Sequence, residues 1–118
     1  MLAQKYRFHG YGSLKFLYHK GKTYRTRTLA LRVAQNDRRP NGRVAVVVTK
    51  KVHKAAPLRN RIRRRVYEII RKNWDHITPA HDILISVYDS NATVMPHEQL
   101  EKSVIELLRQ AGIWQDAE

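Results

Sequence analysis

From Leu58 to Trp74 the sequence sorts hydrocarbon and positive charge onto opposite sides of one helix, a segment that few folds can use. At helical spacing Leu58, Ile62, Val66, Ile69, Ile70 and Trp74 fall within an arc of about 160°, which must face a core. Arg61, Arg64, Arg65, Glu68, Arg71 and Lys72 fill the opposite arc as a cationic ridge with a single acid in it. Arg59 and Arg63 project from the apolar side near the first turn. Pro57 fits that turn, where a backbone N–H has no helical acceptor to lose.

The rest of the chain reads as short elements around this helix. Ser13, after Gly10 and Gly12, caps a helix to about Lys20 that Gly21 stops. Residues Thr23 to Ala34 alternate and predict one strand. Asn36 to Gly42, with Pro40-Asn41-Gly42, is a turn, and Arg43 to Lys50 predicts a second strand as the antiparallel hairpin partner of the first. A third strand spans Asp82 to Tyr88, and a closing helix spans Glu98 to Gln110 with Gly112 behind it. The order α-β-β-α-β-α predicts an α+β fold, a two-layer sandwich of a small sheet and helices, as a single domain over residues 1–118.

Strand parity divides the sheet into two unlike faces. Leu29, Leu31, Val33, Val44, Val46, Val48, Ile83, Ile85 and Val87 make a continuous hydrocarbon face for the core. Thr28, Ala30, Arg32, Ala45, Val47, Thr49, Leu84, Ser86 and Tyr88 make a small, semi-polar one.

Charge narrows the class of partner. The chain carries 23 Lys and Arg against 10 Asp and Glu, but residues 1–72 hold a net +19 and residues 73–118 a net −6. Cations concentrated in this way repel one another, and a polyanion is the partner that relieves them. Arg outnumbers Lys by 14 to 9, which suits bidentate phosphate contact and stacking on bases. RNA or DNA is therefore the expected partner, rather than a membrane or a small-molecule substrate. The absence of cysteine excludes disulfides and thiolate chemistry and points to a reducing cytoplasm. The six histidines show no metal-ligand spacing, and Gly10-Tyr11-Gly12 lacks the later glycine of a dinucleotide loop. No protein-bound metal or nucleotide cofactor is expected.

One block goes further. Val48-Thr49-Lys50-Lys51-Val52, then Lys54-Ala55, then Arg59-Asn60-Arg61-Ile62-Arg63-Arg64-Arg65 resembles the bacterial ribonuclease P protein component. That family's pattern is a hydrophobic strand ending in Ser/Thr-Lys-Lys, a basic loop, and an Arg-Asn-Arg run opening a helix. Leu14, Leu17, Tyr18 and Gly21 match its first helix and terminating glycine, so the resemblance spans nearly the whole chain. Leu14 stands where the family usually has phenylalanine and Arg32 where tyrosine is frequent. The loop before Arg59 is one residue longer than usual, with His53 and Pro57 in it.

The resemblance implies a left-handed βαβ crossover through the Arg-rich helix, against the general right-handed rule. It also implies the function, a single RNA-binding domain serving as a subunit of an endoribonuclease that matures the 5′ end of precursor tRNA. Catalysis and Mg²⁺ would belong to the RNA subunit, and the protein would have no catalytic residues of its own. Lys50, Lys51, Lys54, Arg59, Asn60, Arg61, Arg64 and Arg65 are the implied contacts to ribonuclease P RNA. The 5′ leader is expected in a cleft between the first helix and the sheet, with Phe16, Tyr18, Tyr24, Arg32, Thr49 and Tyr88 as its candidate contacts. The alternative is a ribosomal or ribosome-assembly RNA-binding protein of similar basicity. A self-sufficient nuclease would need clustered carboxylates or a histidine pair, and the acids sit away from the basic surface.

Overall fold

In the computed structural model, which describes Leu17, residues 19–36 and residues 42–116, the strand expected from Thr23 to Ala34 breaks at Thr26. The Thr26 N–H donates to the Leu29 carbonyl at 2.8 Å and the Leu29 N–H to Thr26 Oγ1 at 3.2 Å, closing a tight turn. A hydroxyl that bonds the backbone nearby offers it an alternative to the ladder. Two strands result, β1 (Lys22–Arg25) and β2 (Leu29–Gln35), paired antiparallel with Arg25 opposite Ala30.

β3 (Arg43–Val48), α1 (Ala56–Lys72), β4 (His81–Val87) and α2 (His97–Gln110) follow, within a residue or two of their expected limits. The sheet order is β1-β2-β4-β3, which corrects the expected hairpin between the second and third of these strands. β4 lies between them, antiparallel to β2 and parallel to β3. Two forces favour this arrangement. The β3–α1–β4 connection lays the apolar stripe of α1 on the sheet, and the most continuously apolar strand takes the centre, buried over most of its length. Asp82 then holds both neighbours. Its carboxylate accepts from Arg43 Nε at 3.1 Å and Nη2 at 3.0 Å on β3, and from Asn36 Nδ2 at 3.0 Å beyond β2.

The hydrocarbon face is as expected: all nine of its residues from Leu29 to Val87 are buried. Ile62, Val66, Ile69 and Ile70 of α1 and Leu100, Val104, Leu107 and Leu108 of α2 complete this core. Truncating any one of the fully buried leucines costs about 2–5 kcal/mol. Tyr67, outside the stripe read from the sequence, is buried as well, and its hydroxyl accepts the Val46 N–H at 3.2 Å. Two ends of that stripe are corrected. Leu58 sits in the first turn, 38% exposed, and Trp74 lies beyond α1 in a 3₁₀ turn, Trp74–His76, packed on the core margin. Asn73 ends the helix, its Nδ2 donating to the Ile69 carbonyl at 2.8 Å.

Gly112 stops α2 with φ +74°, where a side chain is strained. The chain then turns back so that Trp114 pairs with Ile77 and stacks on His76, ring centroids 4.6 Å apart. Most of the expected first helix lies outside the described residues. Its end is visible: Leu17, His19 and Lys20 are helical, and the Gly21 N–H donates to the Leu17 carbonyl at 2.8 Å. A Cβ at Gly21 would overlap that carbonyl oxygen and stand 3.0 Å from Arg32 Cγ, so only glycine fits. Leu17 is fully buried with Ala34, Ala45 and Leu84, which seats this turn on the small-residue face of the sheet.

Candidate nucleic-acid interface

The loop from Thr49 to Ala55 is built to hold lysines outward. The Val52 N–H donates to the Thr49 carbonyl at 3.0 Å, and the Val52 side chain is buried as a plug. His53 Nδ1 accepts the Ala55 N–H at 2.9 Å. Arg59 reaches back from α1, its Nη1 donating to the His53 and Lys54 carbonyls at 2.9 and 2.7 Å. Lys50, Lys51 and Lys54 are left exposed. Arg59 thus braces the loop as well as charging it.

α1 opens from this loop with no side-chain cap and no acid in its first turn. Its N-terminal partial positive charge therefore adds to the surrounding cations. Arg61 and Arg64 are exposed, and among the described residues neither pairs with a carboxylate. Asn60 Oδ1 accepts from Arg63 Nη1, and these two with Pro57 and Arg64 line an open depression of about 450 Å³. Arg65 is partly buried and donates to the Met95 carbonyl at 2.8 Å. Burial, then repulsion from Arg61, pulls its guanidinium below the ordinary arginine pKa.

Charge at the far end of α1 is compensated. Arg71 pairs with Glu68 at 2.9 Å and Lys72 with Glu101 at 3.6 Å. The cationic ridge is therefore strongest over its first two turns and the preceding loop. Arg43 belongs to neither, since it is spent on the buried Asp82. Of the eight residues expected to meet an RNA subunit, Lys50, Lys51, Lys54, Arg61 and Arg64 are exposed and, among the described residues, pair with no carboxylate. Arg59, Asn60 and Arg65 also hold protein groups in place.

The second surface is the semi-polar sheet face. Its register places Ala30 beside Ser86, Arg32 beside Leu84, and Val47 on the far side of Ser86. A groove of about 250 Å³ runs there, lined by Thr23, Arg25, Ala30, Arg32, Leu84, Ser86 and Tyr88. The Tyr88 hydroxyl donates to the Thr26 carbonyl and its N–H to the Thr28 carbonyl at 3.2 Å, so the ring is fixed at the groove's end. Arg32 is held on two sides, Nε to the Leu17 carbonyl at 3.0 Å and Nη1 to Thr23 Oγ1 at 2.8 Å. It joins the end of the first helix to the sheet.

The turn at Thr26 reverses parity, and this moves two residues. Tyr24 lies opposite Leu31 and packs on the core side, away from the groove where it was expected. Thr28 is buried in the turn rather than displayed on the face. In their place β1 contributes Thr23 and Arg25, which the reading of a continuous strand put on the wrong side. The break rests on the Thr26 hydroxyl accepting the Leu29 N–H, and threonine in an alternating run gives no clear sequence signal for it. Thr49 follows β3 with its Oγ1 buried and, among the described residues, without a hydrogen-bond partner. Phe16 and Tyr18 lie outside the described residues.

Among the described residues no helix is long and apolar enough to cross a membrane. The family model described as Ribonuclease P matches residues 2–112. The ribonuclease P protein component of Clostridium botulinum (strain Langeland / NCTC 10281 / Type F) is 32% identical over 100 residues, covering 85% of this chain and 88% of that protein. That of Bacillus cereus (strain B4264) is 27% identical over 112 residues, covering 95% and 96%. The solved Staphylococcus aureus RNase P protein superposes with a TM-score of 0.83 at 26% identity, covering 93% of this chain and 98% of that one. The match in sequence and in fold runs over most of each chain, and the chain belongs to the ribonuclease P protein family.

Proposed function

We propose that this chain is the protein subunit of a ribonuclease P holoenzyme and assists removal of the 5′ leader from precursor tRNA. Its partners in this reading are ribonuclease P RNA and precursor tRNA. The observation that carries it is the exposed run Lys50, Lys51, Lys54, Arg61 and Arg64 on a loop and helix start that contain no acid. Such a surface tracks phosphates and fixes position without reading sequence. The RNA subunit docks there, with Arg59, Asn60 and Arg65 keeping loop and helix in register.

The leader lies along the semi-polar sheet face, where Arg25 and Arg32 neutralise its phosphates and Tyr88 offers a ring edge beside small side chains. Thr49, Phe16 and Tyr18 are the remaining candidates on this path. The protein neutralises and positions, while bond cleavage and the Mg²⁺ ions it needs belong to the RNA subunit. Reconstitution with a bacterial ribonuclease P RNA tests this directly, by following cleavage of a precursor tRNA across a Mg²⁺ titration. The protein should lower the Mg²⁺ needed for half-maximal cleavage. A protein that binds the RNA subunit but leaves that requirement unchanged overturns the reading.

A further inference from the structure

We infer that the track for single-stranded RNA continues past the sheet groove into a second groove that receives the next nucleotides of the same 5′ extension. The inference rests on the leader reading above. The second groove, about 350 Å³, lies between the β1–β2 turn and the start of α2, with Arg27, Asn91, Val94, Met95, Gln99 and Ser103 on its walls.

The two grooves share one turn. Arg25 lines the first and Arg27, two residues on, lines the second. The same turn is tied to Tyr88 by the hydroxyl bond to Thr26 and the N–H bond to Thr28. A strand leaving the first groove over Tyr88 therefore crosses Arg27. Both arginines are exposed, and among the described residues neither has an ion-pair partner.

The lining suits a nucleotide beyond its charge. Among the described residues the Asn91 and Gln99 side-chain amides make no hydrogen bond, and an amide both donates to and accepts from base edges. Val94, 80% exposed, and Met95 give an apolar platform against which a base can lie. Asp89 and Glu98 stand nearby. The Asp89 carboxylate accepts the Asn91 N–H at 2.8 Å, and Glu98 lies in the first turn of α2. Among the described residues Arg27 is the one cation on the groove's walls, so phosphate attraction centres on it. An exposed Val94 alone could equally meet a protein. The guanidinium at the junction and the continuity with the first groove favour RNA.

The test uses the holoenzyme reconstituted with ribonuclease P RNA and precursor tRNAs whose leaders lengthen one nucleotide at a time. Affinity should rise until the first groove is filled and rise again as the second is reached. Arg27→Gln should remove the second rise, about tenfold for loss of a charge-assisted contact, and leave short leaders and mature tRNA unaffected. Gln99→Ala should reduce the same increment. A photoreactive uridine walked along the leader should cross-link to the peptide holding Asn91 to Gln99 only from distal positions. If Arg27→Gln weakens every substrate equally, or changes none while Tyr88→Ala still lowers leader affinity, the second groove is not on the track. If Tyr88→Ala and Arg27→Gln both leave leader affinity intact, the leader reading fails with it.

Discussion

Arg43 and Asp82 stand opposite each other in the parallel β3–β4 register and are joined by two hydrogen bonds, with Asp82 only 1% exposed. The pair lies where the expected hairpin would have placed two different strands side by side. Removing one partner of such a pair leaves a charge without compensation in the interior. Asp82→Ala should therefore lower stability by about 3 kcal/mol, read as a shift in urea midpoint with circular dichroism. Replacing Arg43 and Asp82 together by apolar residues should recover most of that loss. An equal loss in the double variant would mean that the pair matters for its shape and not for its charge.

Arg61 and Arg64 test the opposite case, exposed cations that pair with no carboxylate among the described residues. Replacing both with Ala should leave the urea midpoint within about 0.5 kcal/mol of the original, as for ordinary surface positions. Assembly with the RNA subunit should weaken. If the loop and helix start together neutralise about six phosphates, log K should fall against log salt with a slope near −5, and each lost contact should flatten it by roughly one. A slope unchanged in the double variant would remove this helix from the interface.

Ser86 lies at the centre of the sheet groove, between Ala30 and Val47. Ser86→Trp should fill the space with little strain, because the groove is open to solvent. Affinity for leader-bearing substrate should fall by about 1–3 kcal/mol, the worth of a displaced base contact. Mature tRNA and the RNA subunit should bind as before. The ratio of the two substrate affinities is the measurement, and a ratio that does not move puts the leader elsewhere.

Arg32 serves the protein before it serves a ligand, through its bonds to the Leu17 carbonyl and Thr23 Oγ1. Arg32→Ala should cost roughly 1–3 kcal/mol of stability, since a charged donor is lost from a carbonyl at a helix end. Gly21→Ala should act in the same direction by pushing that carbonyl off the sheet. Both should lower leader affinity together with the thermal midpoint. Loss of leader affinity at full stability would instead mean that Arg32 meets the leader without bracing the turn.

Much of this architecture was legible in the sequence because it depends on periodicity. The hydrocarbon face of the sheet and the buried positions of both helices follow from spacings of two and of three to four residues, and burial follows them closely. The order of the strands was hidden because pairing is decided by distant residues. The lone carboxylate at Asp82 among apolar neighbours was its only local mark, and it reads equally well as a strand terminus. The Thr26 turn was missed for a related reason, since threonine is at home in strands and its hydroxyl breaks one only when the backbone folds back on it. That error carried Tyr24 into the groove and left Arg25 out. The excess of positive charge through the basic loop and the start of the helix was legible because charge is a property of composition. The structural duties of Arg59, Arg65 and Arg32 depend on carbonyls that no charge count locates.

The central position of β4 also governs how the molecule is made. β2 and β3 share no ladder, so the sheet lacks the strand that joins its halves until His81–Val87 has been synthesised. The hydrogen bonds of α1 are local and form on a far shorter timescale than the closure of distant strands. A ribosome that has finished α1 but not β4 thus holds a cationic amphiphile, its apolar stripe bare and its arginines already in place. For this chain the hazardous interval is translation of the last third, when the apolar stripe of α1 has no complete sheet to rest on.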